Sequence, residues 1–516
     1  MVDLPNIWYT KSGSEINGLR VSSTYGQMEK TYARRNVDIS FGKKVKDLSF
    51  SISGLLGQGN RSEQTFTDIY GSSYEMEKES KLDNNNVNIG LTYKKLSVRA
   101  IYDQMNTNTR DAYDAALSRA YPTNFTGYFF ETKYDWAIGN KLTITPKLNF
   151  KRQRPWEFDG ISDTLDAYET TVLITDRYGA NITANWNVSP KVNIIMGTEA
   201  FYDYAESKRD VLFQNSGTST IDYFNSAAFV QSIIKNKIAN LTIGARIDNN
   251  NAFGKAFVPR LGLTKKINKL NFKLLWGNSF RAPSIQNFQT SYNGELKPEK
   301  SQTIEFETSY LLNRKMYFSV SVFDITTRNP IIYFIDTSST ANLASPEGYI
   351  NKEANGSMGI EGEYRYKGKW GYVNMTYSYY TIASKTQVPD YSVDQNSSLS
   401  LAFPANKITL NSSINLTPSF FISPSFCYSG KRYGYDGIDS LGDYTLSEFK
   451  EQYFLNFYAG YNNIFVKGLD LSVGVFDILN EKVLYIQPYS GGHAPLPGVS
   501  REIIFKLRYQ LHYKEK

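Results

Sequence analysis

The chain of 516 residues contains a single cysteine, Cys427, and two histidines, His493 and His512. One thiol excludes an internal disulfide and suits a protein that crosses an oxidising compartment without mispairing. Two histidines leave few side chains that exchange protons near neutral pH, and no Ser, His and Asp constellation can be built around either. Glycine-rich phosphate loops, zinc-ligand spacings and nucleophile elbows are also missing, so neither an enzyme nor a resident metal or cofactor is expected. No apolar run approaches the roughly 18 residues that a membrane-crossing helix requires. The formal net charge is +7, but the cations fall in short clusters such as Lys43, Lys44 and Lys46 or Lys265, Lys266 and Lys269. Without a basic stripe, no nucleic-acid surface is expected.

What the chain has is aromatic residues, 39 Tyr and 31 Phe, at a mean hydropathy of −0.42. From Glu502 to Tyr513 apolar and polar residues alternate: Ile503, Phe505, Leu507, Tyr509, Leu511 and Tyr513 share one face, and Ile504, Lys506, Arg508, Gln510 and His512 the other. Leu142, Ile144, Leu148 and Phe150 alternate with polar residues in the same way, as do Leu469, Leu471, Val473 and Val475. Soluble sandwich strands run about five or six residues, whereas a tilted membrane strand needs about nine to eleven. The length and the greasy-out, wet-in pattern predict an all-β fold, a transmembrane antiparallel β-barrel of about 22 strands.

The connections support that topology. Ten short turns, among them Val45 to Asp47, Lys94 to Lys95 and Asn313 to Arg314, alternate with eleven longer connections. The longest are polar: roughly Gly59 to Lys81, Asn106 to Thr126, Gln153 to Thr175, Arg281 to Lys300, Arg328 to Gly356, Thr381 to Pro404, Gly430 to Lys450 and Leu479 to Val499. Short periplasmic turns and long extracellular loops are the outer-membrane pattern, which places the protein in the outer membrane of a Gram-negative bacterium. A barrel cannot be cut without exposing strand edges, so one barrel domain is expected. Asn84 to Asn86 is expected to cap a strand entrance.

Three segments carry a resemblance. Gly277 to Ser284 (GNSFRAPS), followed by Leu296, Lys297, Pro298, Glu299 and Ser301, is similar to the "FRAPS … LKPE.S" segment of TonB-dependent outer-membrane receptors. Val475 to Asn480 with Pro495 to Gly498 resembles that family's C-terminal box, and Asn6 to Gly13 with Gly18 to Tyr25 resembles its plug-to-barrel junction. The resemblance implies that residues 1–17 are a remnant of the junction and 18–516 the barrel. It also implies a monomer embedded in outer-membrane lipid, taking up a ferric siderophore or cobalamin-like chelate in a TonB-dependent manner. The family's plug domain and transducer-binding box find no counterpart in this sequence, nor is an export signal seen at Met1 to Pro5, so uptake is expected to be incomplete without a plug. A passive porin-like channel and a surface barrel that binds proteins are the competing readings.

Candidate residues follow. Phe280, Arg281, Ala282, Pro283, Leu296, Pro298 and Glu299 of the family motif are expected to shape the loop at the strand rim, with Arg281 and Glu299 as possible binders. Tyr433, Tyr435, Tyr444, Tyr485 and Tyr489 offer amphipathic contact surface for a bulky ligand. Arg99, Lys147, Glu305, Glu307, Glu361, Glu363, Arg365, Lys506 and Arg508 are expected to face the lumen and hydrate it or meet a plug. Haem-binding relatives carry histidine in the motif loop, and Arg281 to Lys300 has none. Asp436, Asp439 and Asp443 lack a calcium-loop spacing and are expected to be a solvated acidic loop.

Overall fold

The computed structural model describes residues 12–111, 115–158, 173–208, 218–292, 295–335, 347–393, 396–489 and 492–512. Twenty-two long strands form one closed antiparallel barrel. A short extra piece, Trp136–Ile138, continues Tyr121–Tyr134 and pairs with Leu142–Phe158. Closure is made by the first and last strands, Gly18–Gln27 and Glu502–His512, in unbroken register from Gly18 opposite His512 to Gln27 opposite Ile503.

Alternation decides which residue meets lipid. Ile503, Phe505, Leu507, Tyr509 and Leu511 are exposed, whereas Ile504, between Gly26 and Gly474 on the inner face, is buried. The periplasmic hairpins are tight, and three of them place a left-handed residue first in a two-residue turn: Lys46 (φ 52°), Lys94 (φ 53°) and Asn268 (φ 54°). That conformation matches the twist of the strands it joins.

Several strands run past the membrane. Leu142–Phe158 and Leu173–Ser189 have 17 residues each and Val192–Ser207 has 16. Asn106 to Thr109 and Tyr121 to Thr126, read from sequence as loop, belong to paired strands. Above the bilayer both faces are wet, so alternation vanishes although the ladder continues. Asn84 to Asn86 likewise lie inside the strand Leu82–Tyr93, where Asn86 Nδ2 donates to Asp103 Oδ1 at 3.2 Å. They cap no strand entrance.

The inner wall is stitched across strands. Arg177 forks onto Asp203 at 2.6 Å and 2.6 Å, and Arg246 bonds both Asp248 at 2.7 Å and Glu199 at 2.8 Å. At the periplasmic end a single helical turn, Gly13–Ile16, lies against Tyr32–Val45 and Leu48–Gly59. It fits because Gly42 has no side chain: a Cβ there would come within 2.7 Å of Ile16 Cβ and 2.9 Å of Gly13 Cα.

Candidate functional site

The strands Leu270–Arg281 and Glu299–Asn313 are neighbours whose last register pair at the extracellular end is Arg281 and Glu299. Both share the inward face with Glu305 and Glu307. Arg281 Nε donates to Glu299 Oε2 at 2.5 Å and Nη2 to Oε1 at 2.7 Å, while Ile331 N–H donates to the same Oε1 at 2.8 Å. A planar guanidinium matched to a carboxylate in this way fixes geometry as well as charge.

The motif between them folds back on this pair. Ser284 Oγ accepts from Asn287 N–H at 3.1 Å, and Asn287 Oδ1 accepts from Ser284 N–H at 2.9 Å, capping the short helix Ile285–Gln289. Pro283, Leu296 and Pro298 are buried, Ala282 is half-buried, and Phe280 sits on the outward face opposite Lys300. Phe288, Leu296 and Ile331 form an apolar cluster with Ile221, Phe253 and Tyr349. Ile285 packs with Leu173, Ala205 and Ile221 from the tall strands, so the projecting wall buttresses the loop. Asn351 ties the far side, accepting from Lys297 N–H at 2.7 Å and donating to Asn329 O at 2.8 Å.

Two tyrosines from two other loop segments, Tyr349 and Tyr391, stand within electrostatic reach of this pair, and Tyr489 from a third stands within reach of Tyr349. Tyr349 lies in the hairpin Ile331–Ile335 with Glu347–Asn351, edge-on to Tyr333 at 5.2 Å, and Tyr391 ends the single turn Pro389–Tyr391. Burial pushes the Tyr391 phenol up to about 12, helped by the charges of Glu299 and Asp390 and opposed by Arg281. Burial also raises the Tyr349 phenol, Tyr489 adding and Arg281 opposing. Both phenols are therefore neutral hydrogen-bonding groups at any physiological pH. Under the loop that supplies Tyr391 lies a cavity of about 410 Å³, lined among others by Phe323, Tyr380, Phe403, Asn355 and Gln387. The ensemble can bind an aromatic guest through ring faces and phenol hydrogen bonds.

Of the five tyrosines singled out in the sequence, only Tyr489 lies here, its ring 6.4 Å from that of His493. Tyr433, Tyr435 and Tyr444 belong to the hairpin Arg432–Ile438 with Tyr444–Phe449; Tyr433 O–H donates to Glu448 at 2.7 Å, and the Tyr435 and Tyr444 rings meet edge-on at 6.1 Å. Tyr485 is 60% exposed. Tyr349 and Tyr391 escaped the sequence reading because nothing local marks them; only strand register and loop folding bring them to Arg281. Asp439 Oδ1 accepts from Leu441 N–H at 2.8 Å and Asp443 N–H at 3.0 Å, a turn-closing role, and no acidic cluster among the described residues is arranged to hold a metal.

The charges read as lumen-facing are placed as follows. Glu305 and Glu307 receive Lys273 Nζ at 3.2 Å and 3.6 Å, Glu363 pairs with Arg365 at 2.6 Å, and Arg508 Nε donates to Asp470 at 2.8 Å. Lys147 lies 3.5 Å from Glu131. Arg99 lines a small recess with Arg20 and Glu15, Glu361 borders the 410 Å³ cavity, and Lys506 lies between Thr24 and Ser472.

A second knot joins the loops on the other side of the mouth. Glu63, 3% exposed, accepts from the N–H groups of Glu29 (2.9 Å), Lys30 (2.6 Å) and Thr31 (2.9 Å) and from Ser500 Oγ (2.6 Å). Phe66, Ile69, Tyr74 and Met76 bury themselves against Ala494, Leu496, Ala116 and Ile438. Four loops thus share one apolar core outside the membrane.

Comparison with known proteins accounts for this architecture. Over 269 residues the chain is 24% identical to a vitamin B12 transporter of Vibrio vulnificus; the match spans 50% of this chain and 43% of that protein, less than half its length. Solved structures similar to it include an iron transporter of Neisseria meningitidis (TM-score 0.75, 13% identity, 97% of this chain and 84% of that one). They also include a mutant ferric enterobactin receptor of Pseudomonas aeruginosa (TM-score 0.74, 13% identity, 96% and 80%) and a ferric-catecholate import receptor of Escherichia coli K12 (TM-score 0.73, 12% identity, 96% and 82%). At these identities the structural likeness establishes the fold. The family model described as "TonB dependent receptor-like, beta-barrel" matches residues 9–478, and the chain belongs to that family.

Proposed function

We propose that this barrel serves the uptake of a scarce nutrient, a ferric siderophore or a cobalamin-like chelate, across the outer membrane of a Gram-negative bacterium. Transport is energised by a TonB-type transducer acting through a plug domain, and the barrel works as a monomer. The observation that carries this reading is the convergence of Tyr349 and Tyr391 on the Arg281–Glu299 pair at the loop-lined mouth, with Tyr489 beside Tyr349. Neutral phenols beside a guanidinium that Glu299 fixes and neutralises offer stacking faces and hydrogen bonds together. A guest rich in aromatic rings, such as a ferric catecholate, uses both, and two of the structural relatives bear names of that ligand class.

The test is a titration of the purified protein, followed by calorimetry, with a ferric catecholate, a ferric hydroxamate and cyanocobalamin. One of them binds saturably, and Tyr489→Ala and Tyr391→Ala each weaken it about tenfold, the effect of roughly 1.4 kcal/mol. Saturable binding of none of them, together with large ligand-independent conductance in planar bilayers, overturns the reading in favour of a passive channel. Loop-dependent capture of a protein without conductance overturns it in favour of a surface adhesin.

A further inference from the structure

One loop grips both faces of a single strand. In Met316–Arg328 the exposed Val320 and Val322 mark the outer face and the buried Ser321 the inner one. Alternation therefore puts Asp324 and Thr326 outside and Phe323, Ile325 and Thr327 inside. Lys385 lies in the segment between the strands Gly371–Thr381 and Asn406–Asn415. Its Nζ donates to the two oxygens of Asp324 at 2.7 Å and 2.6 Å and to Thr326 Oγ1 at 3.4 Å. Ile382 and Gln387, on either side of it in sequence, line the cavity of about 410 Å³ together with Phe323, Ile325 and Thr327. The loop is clipped over the wall, its lysine outside and its neighbours inside.

The local sequence makes the clip possible. Ser384 takes the left-handed backbone (φ 62°) that turns the chain, and the Lys385 N–H closes the turn on Ile382 O at 3.1 Å. The lysine stem passes over Gly356, the register partner of Thr326, where a Cβ would come within 3.3 Å of Lys385 Cδ. Gln387 Nε2 donates to Gly356 O at 2.7 Å, and Val388 is buried. The Lys385 side chain is only 15% exposed, so its charge has given up most of its water, and Asp324 is the carboxylate that answers it.

What the clip controls is Tyr391, six residues further on. Six residues of extended chain reach about 20 Å, enough to pass over a wall one sheet thick and arrive at the mouth. There the turn Pro389–Tyr391 sets the ring within electrostatic reach of Arg281 and Glu299. Ser400 Oγ and Leu401 N–H donate to Tyr391 O at 3.0 Å and 2.9 Å and tie down the returning chain. We propose that Lys385 is a positioning residue for ligand: its grip on Asp324 outside the barrel holds Tyr391 in place at the Arg281–Glu299 pair inside it. The link to ligand rests on the uptake reading, whereas the clip itself does not.

The purified full chain is tested without ligand and with a ferric catecholate as probe. Chymotryptic cutting after Tyr391, read by mass spectrometry, is expected to quicken about tenfold in Lys385→Met and in Asp324→Asn, each having lost a charge-assisted hydrogen bond. Lys385→Arg keeps the wild-type rate, and Lys369→Met, at an exposed lysine of a periplasmic turn, leaves it unchanged. Catecholate affinity falls about threefold in Lys385→Met, as the seated fraction of the loop drops. Lys385→Met combined with Tyr391→Ala binds no more weakly than Tyr391→Ala alone. Losses that multiply in this double variant overturn the positioning role. Cutting that is no faster in Lys385→Met and Asp324→Asn overturns the clip, whether or not the probe binds. Fast cutting in both variants, with no saturable binding of the catecholate by the wild type, bears out the clip and overturns the catecholate reading instead.

Discussion

Glu299 holds two donors at once, the Arg281 fork and the Ile331 amide, so its removal unties the motif loop from the neighbouring hairpin. Glu299→Ala is expected to weaken the closed loop by about 1 kcal/mol, much of the pair being open to water, and to speed proteolytic cutting between residues 282 and 298 several-fold. Glu63 gives a pH-dependent counterpart. Burial pulls its carboxyl upward, but the Ser500 hydroxyl and the amides of Lys30, Thr31 and Glu29 outweigh that and hold it below its ordinary 4.5. A group held low in the folded state stabilises fully above its ordinary value and loses that contribution as pH falls through the lowered one. The loop knot is therefore expected to be constant from neutral pH down to about 5 and to open below pH 4.5, seen as faster hydrogen exchange at Lys30 and Thr31. Glu63→Gln removes this acid transition.

At the scale of the element, the strand Leu173–Ser189 states the membrane's terms. Tyr178 and Trp186, both exposed on the outer face, lie eight residues apart with Ile182, 53% exposed, midway. Eight residues span about 26 Å of strand, a rise of about 20 Å at a tilt of about 40°, which fits within an apolar band of about 25 Å. Ile182→Arg is expected to cost about 2–4 kcal/mol in urea unfolding from vesicles, while Asn181→Arg, one residue away on the wet face, costs under 1 kcal/mol. This period-two contrast made the strands legible in the sequence. It failed where the contrast ends: Asn106 to Thr109 pair as regularly as any membrane residues, yet no apolar face marks them. The motif loop was legible from Phe280 to Glu299 because its residues are contiguous. Tyr349 and Tyr391 were not, because their nearness to Arg281 is a property of how separate loops fold over one mouth.

For the whole molecule, closure is the decisive contact. The first strand has a partner on one edge only through Glu502–His512, along ten register pairs. Deleting Glu502 to His512 leaves two open edges in lipid, and the expected result is loss of heat-modifiable, protease-resistant barrel rather than a looser one. Strand number and alternating loop lengths followed from counting turns, while the stitching of the wall by Arg177 with Asp203 and Arg246 with Asp248 did not, since it depends on register.

The tall strands have a further consequence. Seventeen residues tilted by about 40° rise on the order of 43 Å, against an apolar band of about 25 Å, so roughly 18 Å of wall, headgroup layers included, stands outside that band. The loop braced by Leu173 and Ala205 thus rides on protein above the apolar band. A ligand arriving from solution meets this braced loop before it meets lipid, and its affinity should be the same in detergent and in bilayers.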